Sequence, residues 1–203
     1  MKIKSLIIVC LAILGLASCS KDGSQTIKLD EFAAVKDNFG ESFEGDRLMG
    51  TVFSIVPGDY TITWTVKDEL PQMTQYKGEM KIKLKLNKKV EIIDEEKAKD
   101  SGNFPTFTLV DANGDKNIKN SSEWYIGKDP WGINSNNDLT MEFVEFLRSE
   151  PGTVKEITLT SLLVESSSKD YAQQITFITN EAKGFVLNVK DDEFYHRWLK
   201  IAE

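Results

Sequence analysis

The stretch Glu123-Trp124-Tyr125-Ile126-Gly127-Lys128-Asp129-Pro130-Trp131-Gly132 sets large aromatics among glycine, proline, aspartate and lysine, with Asn134, Asn136, Asn137 and Asp138 following. Flat rings beside amides and carboxylates suit a sugar, whose C–H face stacks on a ring while its hydroxyls hydrogen-bond. Trp124, Tyr125 and Trp131 are therefore the candidate ligand-binding residues. Of these, Trp131 is bracketed by Pro130 and Gly132 in a turn that no central strand could hold. The competing reading packs Trp124 and Tyr125 onto a β core and leaves Trp131 as a loop anchor, since aromatic side chains are more often buried than displayed.

A second candidate is the lysine row Lys81, Lys83 and Lys85, with Lys88 and Lys89 beyond it. Residues two apart on a strand point the same way, about 6.6 Å from one another. Such a row could meet an anionic glycan or phosphates, but lysines on an outward face also keep sheets soluble and their edges unpaired. Catalytic types are scarce. The single histidine, His196, and two cysteines, Cys10 and Cys19, both near the N-terminus, exclude thiolate zinc sites from the rest of the chain. They also argue against a Ser-His-Asp triad. A glycosidase needs only two carboxylates at a defined separation, and 32 acids supply many pairs, none singled out by its context. No cofactor is implied.

The run Asp111-Ala112-Asn113-Gly114-Asp115-Lys116-Asn117 places oxygen side chains at alternate positions. Asp111, Asn113 and Asp115 resemble the start of an EF-hand calcium loop, in which a hard cation collects six to eight oxygens. The pattern fails where Lys116 stands in place of the required glycine and Ser122 in place of the closing glutamate. The simpler reading is an Asn-Gly hairpin turn, with no metal bound.

These residues need a scaffold, and strand signals dominate. Tyr60, Ile62, Trp64 and Val66 alternate with threonines and Lys67; Met80, Ile82, Leu84 and Leu86 alternate with lysines. Val52 to Val56 and the Tyr60 run read as a hairpin across Pro57-Gly58-Asp59. Val90 and Ile92 keep the phase of the lysine strand, which predicts one long or bent strand from Glu79 to Ile93. Phe107 and Leu109 mark another, and further strands are predicted over Ile157–Val164, Gln174–Thr179 and Phe185–Val189. Leu139, Phe143, Phe146 and Leu147 recur at helical spacing, with Asp138 as the predicted N-cap, Pro151-Gly152 as the stop, and Glu142 and Glu145 on the wet face. The tail from Asp191 fits a short helix or a terminal strand. The expectation is a mainly β protein, an antiparallel β-sandwich (immunoglobulin-like or a partly open barrel) with one short amphipathic helix. A charged run from Asp94 to Asn103 offers a domain boundary, but splitting there leaves a thin first core, so a single domain over residues 29–203 is expected.

The N-terminus reads as an address. Lys2 and Lys4 precede an apolar run from Leu6 to Leu14, too short for a permanent span, which needs about 20 residues. Leu16-Ala17-Ser18-Cys19 then resembles the cleavage box of bacterial lipoproteins. The resemblance implies a signal peptide over residues 1–18, a lipid on Cys19 and a polar tether over residues 19–28. In that family Ser20, rather than aspartate, implies routing to the outer membrane. Ser20-Lys21-Asp22 is similar to the short signal that takes Bacteroidetes lipoproteins to the cell surface, without its acidic run, so a periplasmic face stays open. The layout as a whole is similar to Bacteroidetes lipoproteins, a resemblance that assigns no residue roles.

Cleavage would remove two lysines and no acid, leaving a chain more acidic than the formal −7 of the full sequence. That balance disfavours nucleic acid, which selects a basic footprint. The expected function is a lipid-anchored, non-catalytic envelope protein, anchored to the membrane through its lipid and binding a glycan or protein. A structural subunit of an envelope complex and a carboxylate-dependent glycan hydrolase are the alternatives.

Overall fold

The computed structural model describes residues 23–29, 31–36, 42–43, 47–70, 73–110, 123–128, 136–166 and 184–203. In chain order the strands are β1 (Gly23–Leu29), β2 (Glu31–Lys36), β3 (Ser42–Phe43), β4 (Phe53–Ile55), β5 (Gly58–Leu70), β6 (Met73–Leu86), β7 (Val90–Ile92), β8 (Thr106–Val110), β9 (Glu123–Ile126), β10 (Val154–Ser166), β11 (Gly184–Asn188) and β12 (Leu199–Ile201). The helices among the described residues are α1 (Leu48–Val52), α2 (Glu95–Ala98), α3 (Asn137–Leu147) and α4 (Asp192–His196). The protein is mainly β, as the period-two runs predict.

Ten strands form one sheet in the order β1-β5-β6-β10-β9-β8-β11-β2-β3, with β4 also on β6. All its pairs are antiparallel except β11 with β2. The sheet curls until β1 approaches β11 without closing into a barrel. β6 shows why it curls around a core: Tyr76, Met80, Ile82, Leu84 and Leu86 are buried, while Glu79, Lys81, Lys83 and Lys85 are exposed. The inward residues of β1, β5, β8, β9, β10 and β11 join them in one hydrophobic cluster. α3 closes the cluster with Phe143 and Phe146. The Phe143 ring centroid lies 5.8 Å from that of Phe53 and 4.7 Å from that of Phe104, which in turn neighbours Trp198. The run from Asp94 to Asn103 forms α2 and a 3-10 turn, and it sends Ala98 into that same cluster.

Several local expectations are corrected. Val52–Val56 does not pair with the Tyr60 strand. Both lie against β6, which is long enough to take β4 at Leu86 and β5 at Met80. The lysine strand does not continue to Ile93. It ends at Leu86, where the N–H groups of Asn87 and Lys88 donate to the Val52 carbonyl, and β7 pairs instead with β12 in a separate two-stranded sheet. Residues 23–28 are no tether. Ile27 and Leu29 bury a period-two face on β5, which the polar composition around them obscures. The cap of α3 is Asn136, whose side chain accepts from the Leu139 N–H, rather than Asp138. Short α1, α2 and α4 add to the one predicted helix, and the tail is both helix and strand, α4 followed by β12. Gln174–Thr179 lies outside the described residues.

Candidate functional site

The alternation that buries one face of β5, β6 and β10 leaves Thr61, Thr63, Glu79, Lys81 and Lys83 exposed on the other, where Thr160 is nevertheless buried and donates its hydroxyl to the Lys128 carbonyl at 2.9 Å. Register sets that face in rows. Thr63 stands opposite Glu79 and Glu79 opposite Thr160; Lys81 faces Thr158, and Lys83 faces Glu156. On the neighbouring strand, Asp59 faces Lys28 of β1, and Thr26 and Thr61 share a hydroxyl hydrogen bond of 3.1 Å. Over these rows runs an open groove of about 710 Å³, lined by Asp59, Thr61, Thr63, Glu79, Lys81, Lys83, Glu156 and Thr158, by Asn136 and Leu139 at the start of α3, and by Tyr60 and Met80. Lys81 reaches across to Glu156 at 3.6 Å, with both side chains more than half exposed. Such a pair is worth little and exchanges readily for a ligand. Among the described residues Lys83 makes no side-chain hydrogen bond or ion pair, so its ammonium is available along the groove.

The aromatic candidates separate. Trp124 is fully buried and faces the core, where its ring meets that of Trp64. It offers no surface for stacking, because its place in the β9 alternation points it inward, and the expectation of a ligand role for it is corrected. Tyr125, the next residue, is half-buried on the opposite face. It stands opposite Thr160 and Thr106, continuing the polar rows across β9. Its hydroxyl donates to Glu123 at 2.7 Å, and Lys128 lies 5.3 Å above its ring. Burial, followed by that hydrogen bond and the nearby Glu123 charge, pushes the phenol well above its ordinary range. Trp131 lies outside the described residues, as do Cys19, Asp111, Asn113 and Asp115.

The base of the segment that carries Trp131 is nevertheless fixed. Gly127 adopts φ +63, a left-handed conformation that glycine takes without steric cost. Its carbonyl accepts from the Asn136 N–H at 2.7 Å and from the Thr140 hydroxyl at 3.2 Å. A methyl group on Gly127 would stand 2.4 Å from that hydroxyl oxygen. The segment therefore leaves and returns at one pinch, and Asn136, its returning end, lines the groove. Asn136 thus belongs both to the base of this segment and to the groove that Lys81 and Lys83 line.

Sequence reasoning named Lys81 and Lys83 but missed Asp59, Thr61, Thr63, Glu156 and Thr158. The threonine alternation was the available signal. It marked the outward face of β5 without showing that β10 lies two strands away. Among the described residues no group of three or more His, Cys, Asp or Glu side chains could hold a metal ion. Within the same residues no helix is long and apolar enough to cross a membrane. Fold and groove together define a mainly β protein with an open polar face. Compared with protein-family models, curated proteins and solved structures, the chain matches none.

Proposed function

We propose that this protein is a lipid-anchored envelope protein, held at the outer membrane through Cys19 and exposed at the cell surface. In this reading it is a non-catalytic module that binds a glycan or protein in the groove across β5, β6 and β10. The observation that carries the binding role is the groove lining, where hydroxyls, an amide, ammonium groups and carboxylates converge on one uncovered face. Alternating donors and acceptors match a ligand rich in hydroxyl and amide groups, which sugars and extended peptides both are. The Leu16-Ala17-Ser18-Cys19 box supports the anchor.

A glycan array and a pull-down from envelope extract test the binding role, comparing wild type with Lys83→Ala/Thr158→Ala. The expected result is a ligand retained by wild type and lost by the double variant. A ligand held equally by both would place the site elsewhere. The anchor is tested apart, by fractionating cells that express Cys19→Ala, which should move the protein from the membrane to the soluble fraction. A variant that still sediments with membranes would refute lipidation at Cys19.

A further inference from the structure

Five charged side chains line the groove, and their pairing is uneven. Glu79 is held by Lys77 of the same strand at 2.8 Å. Glu156 stands opposite Lys83 in the register but reaches Lys81 instead, at 3.6 Å. Lys83 and Asp59 remain. Among the described residues neither makes a side-chain hydrogen bond or ion pair, although Lys28 stands opposite Asp59 on β1.

The two do not pair with each other because the sheet forks between them. Extending the β5–β6 register beyond Ile62 opposite Met80 would set Asp59 opposite Lys83. The end of β4 takes that place, where the Val56 N–H donates to the Lys83 carbonyl at 2.9 Å. Tyr60 holds the fork: its side chain is buried, and its hydroxyl donates to the Val56 carbonyl. Asp59 is therefore displaced to two strand spacings from Lys83, about 10 Å. At that separation solvent and salt screen most of the attraction between them. The fork also interrupts the pairing of β6. β5 pairs with it from Met80 to Met73 and β4 from Leu84 to Leu86, so Lys81 and Ile82 have no paired residue on this side. The groove reaches into this break, since Tyr60 and Met80, which belong to the core cluster, also line it.

We infer that the ligand of the groove is an extended peptide segment carrying two opposite charges, an acidic side chain on Lys83 and a basic one on Asp59. The inference rests on the binding role proposed above and narrows it to one class of ligand. A neutral glycan would leave both charges of the groove uncompensated, and a polyanion would meet Asp59, Glu79 and Glu156 in repulsion. Cationic side chains are ordinary in peptides, whereas the amino groups of glycans are mostly acylated and neutral. An extended peptide spans about 10 Å in three residues. Its own N–H and C=O groups also suit a stretch of β6 where strand pairing is interrupted.

The test is an array probed with wild type, Asp59→Asn and Lys83→Ala. The probes are end-capped glycine–serine octapeptides carrying one glutamate and one lysine, in both orders and one to four residues apart. Matched probes replace the glutamate by glutamine or the lysine by acetyl-lysine, and neutral and uronate-containing oligosaccharides are spotted beside them. Wild type should retain a doubly charged peptide and lose roughly tenfold in affinity when either charge is removed. With Asp59→Asn only the lysine should cease to matter, and with Lys83→Ala only the glutamate. Both positions are exposed, so the variants should fold, which circular dichroism checks. Singly charged peptides held as tightly as the doubly charged one, or no peptide held at all, would overturn the inference. An oligosaccharide held through Lys83 and indifferent to Asp59→Asn would also overturn it while keeping the groove as a binding site. A ligand held equally by wild type and both variants would remove the groove reading itself.

Discussion

The indole rings of Trp64 and Trp124 lie with centroids 5.6 Å apart and planes tilted by 58°, although their strands are not neighbours in the sheet. They meet because Gly78 on β6, one of the two strands between them, has no side chain. A Cβ there would stand 2.7 Å from the Trp64 ring and 3.0 Å from that of Trp124. Gly78 also pairs with Ser161 of β10, a second small residue beside the indoles.

Gly78→Ala should therefore destabilise the protein by about 1–3 kcal/mol, the usual range for overpacking a dense core. Rigid rings cannot give way as the end of a flexible side chain does. Urea unfolding measures the loss, and near-ultraviolet circular dichroism should change at the tryptophan bands. Thr63→Ala, on the exposed face of β5, is the control and should stay within about 0.5 kcal/mol. An alanine variant as stable as wild type would show that the two rings do not meet over Gly78.

The register of β6 makes a paired prediction. Leu84 is fully buried and Lys83 is exposed, one residue apart. Leu84→Ala should cost about 2–5 kcal/mol through lost burial and a residual cavity, and Lys83→Ala less than about 0.5 kcal/mol. Because a slip of one residue exchanges the faces of a strand, equal losses would show the register to be wrong.

These pairs also mark how far the sequence could be read. The faces of β5 and β6 were legible, because both strands repeat apolar and polar residues over several periods. Their partners were not. Pairing depends on which distant segment covers a strand, and the choice of β6 for both β4 and β5 follows from the length of β6 rather than from anything local to Val52–Val56. β1 was missed because Ile27 and Leu29 give only two apolar positions amid glycine, serine, glutamine and threonine. At the site, the tryptophan signal was ambiguous for a physical reason: an indole serves a core or a binding surface equally well. Only the alternation Trp124-in, Tyr125-out separates the two roles.

Alkaline pH should unfold the protein through its buried tyrosines. Burial is the main cause that raises the Tyr195 phenol, and it raises Tyr125 and Tyr60 too. An unfolded tyrosine loses its proton near its ordinary value of about 10, so above that pH the unfolded state binds fewer protons and stability falls as pH rises. Below it the stabilisation is fully present. Tyr195→Phe should make the decline shallower. It should also cost about 1 kcal/mol at neutral pH, because the Lys190 N–H donates to the Tyr195 hydroxyl at 3.2 Å. Chemical unfolding across pH 8 to 12 reads both effects. A slope that Tyr195→Phe leaves unchanged would assign the alkaline transition to other groups.

The groove and the Trp131 segment share Asn136, and that junction predicts how binding should respond to mutation. A ligand held along the groove takes a charge-assisted hydrogen bond from Lys83, which has no competing side-chain partner among the described residues. Such bonds contribute about 1.5–3 kcal/mol, so Lys83→Ala should weaken binding roughly tenfold or more. Lys88→Ala, exposed but outside the groove lining, should leave affinity unchanged. Lys81 should matter less than Lys83, because its salt bridge to Glu156 must open first. Added salt should weaken wild type and change Lys83→Ala less, since exposed charges are screened. Trp131→Ala separates the two halves of the site. A stacked tryptophan is typically worth about 2 kcal/mol, roughly thirtyfold, so a comparable loss would extend the site from Asn136 into the aromatic segment. Calorimetry on the first ligand found by array or pull-down measures all four variants, with folding checked by circular dichroism. Unchanged affinity in both Lys83→Ala and Trp131→Ala would remove the groove and the loop together.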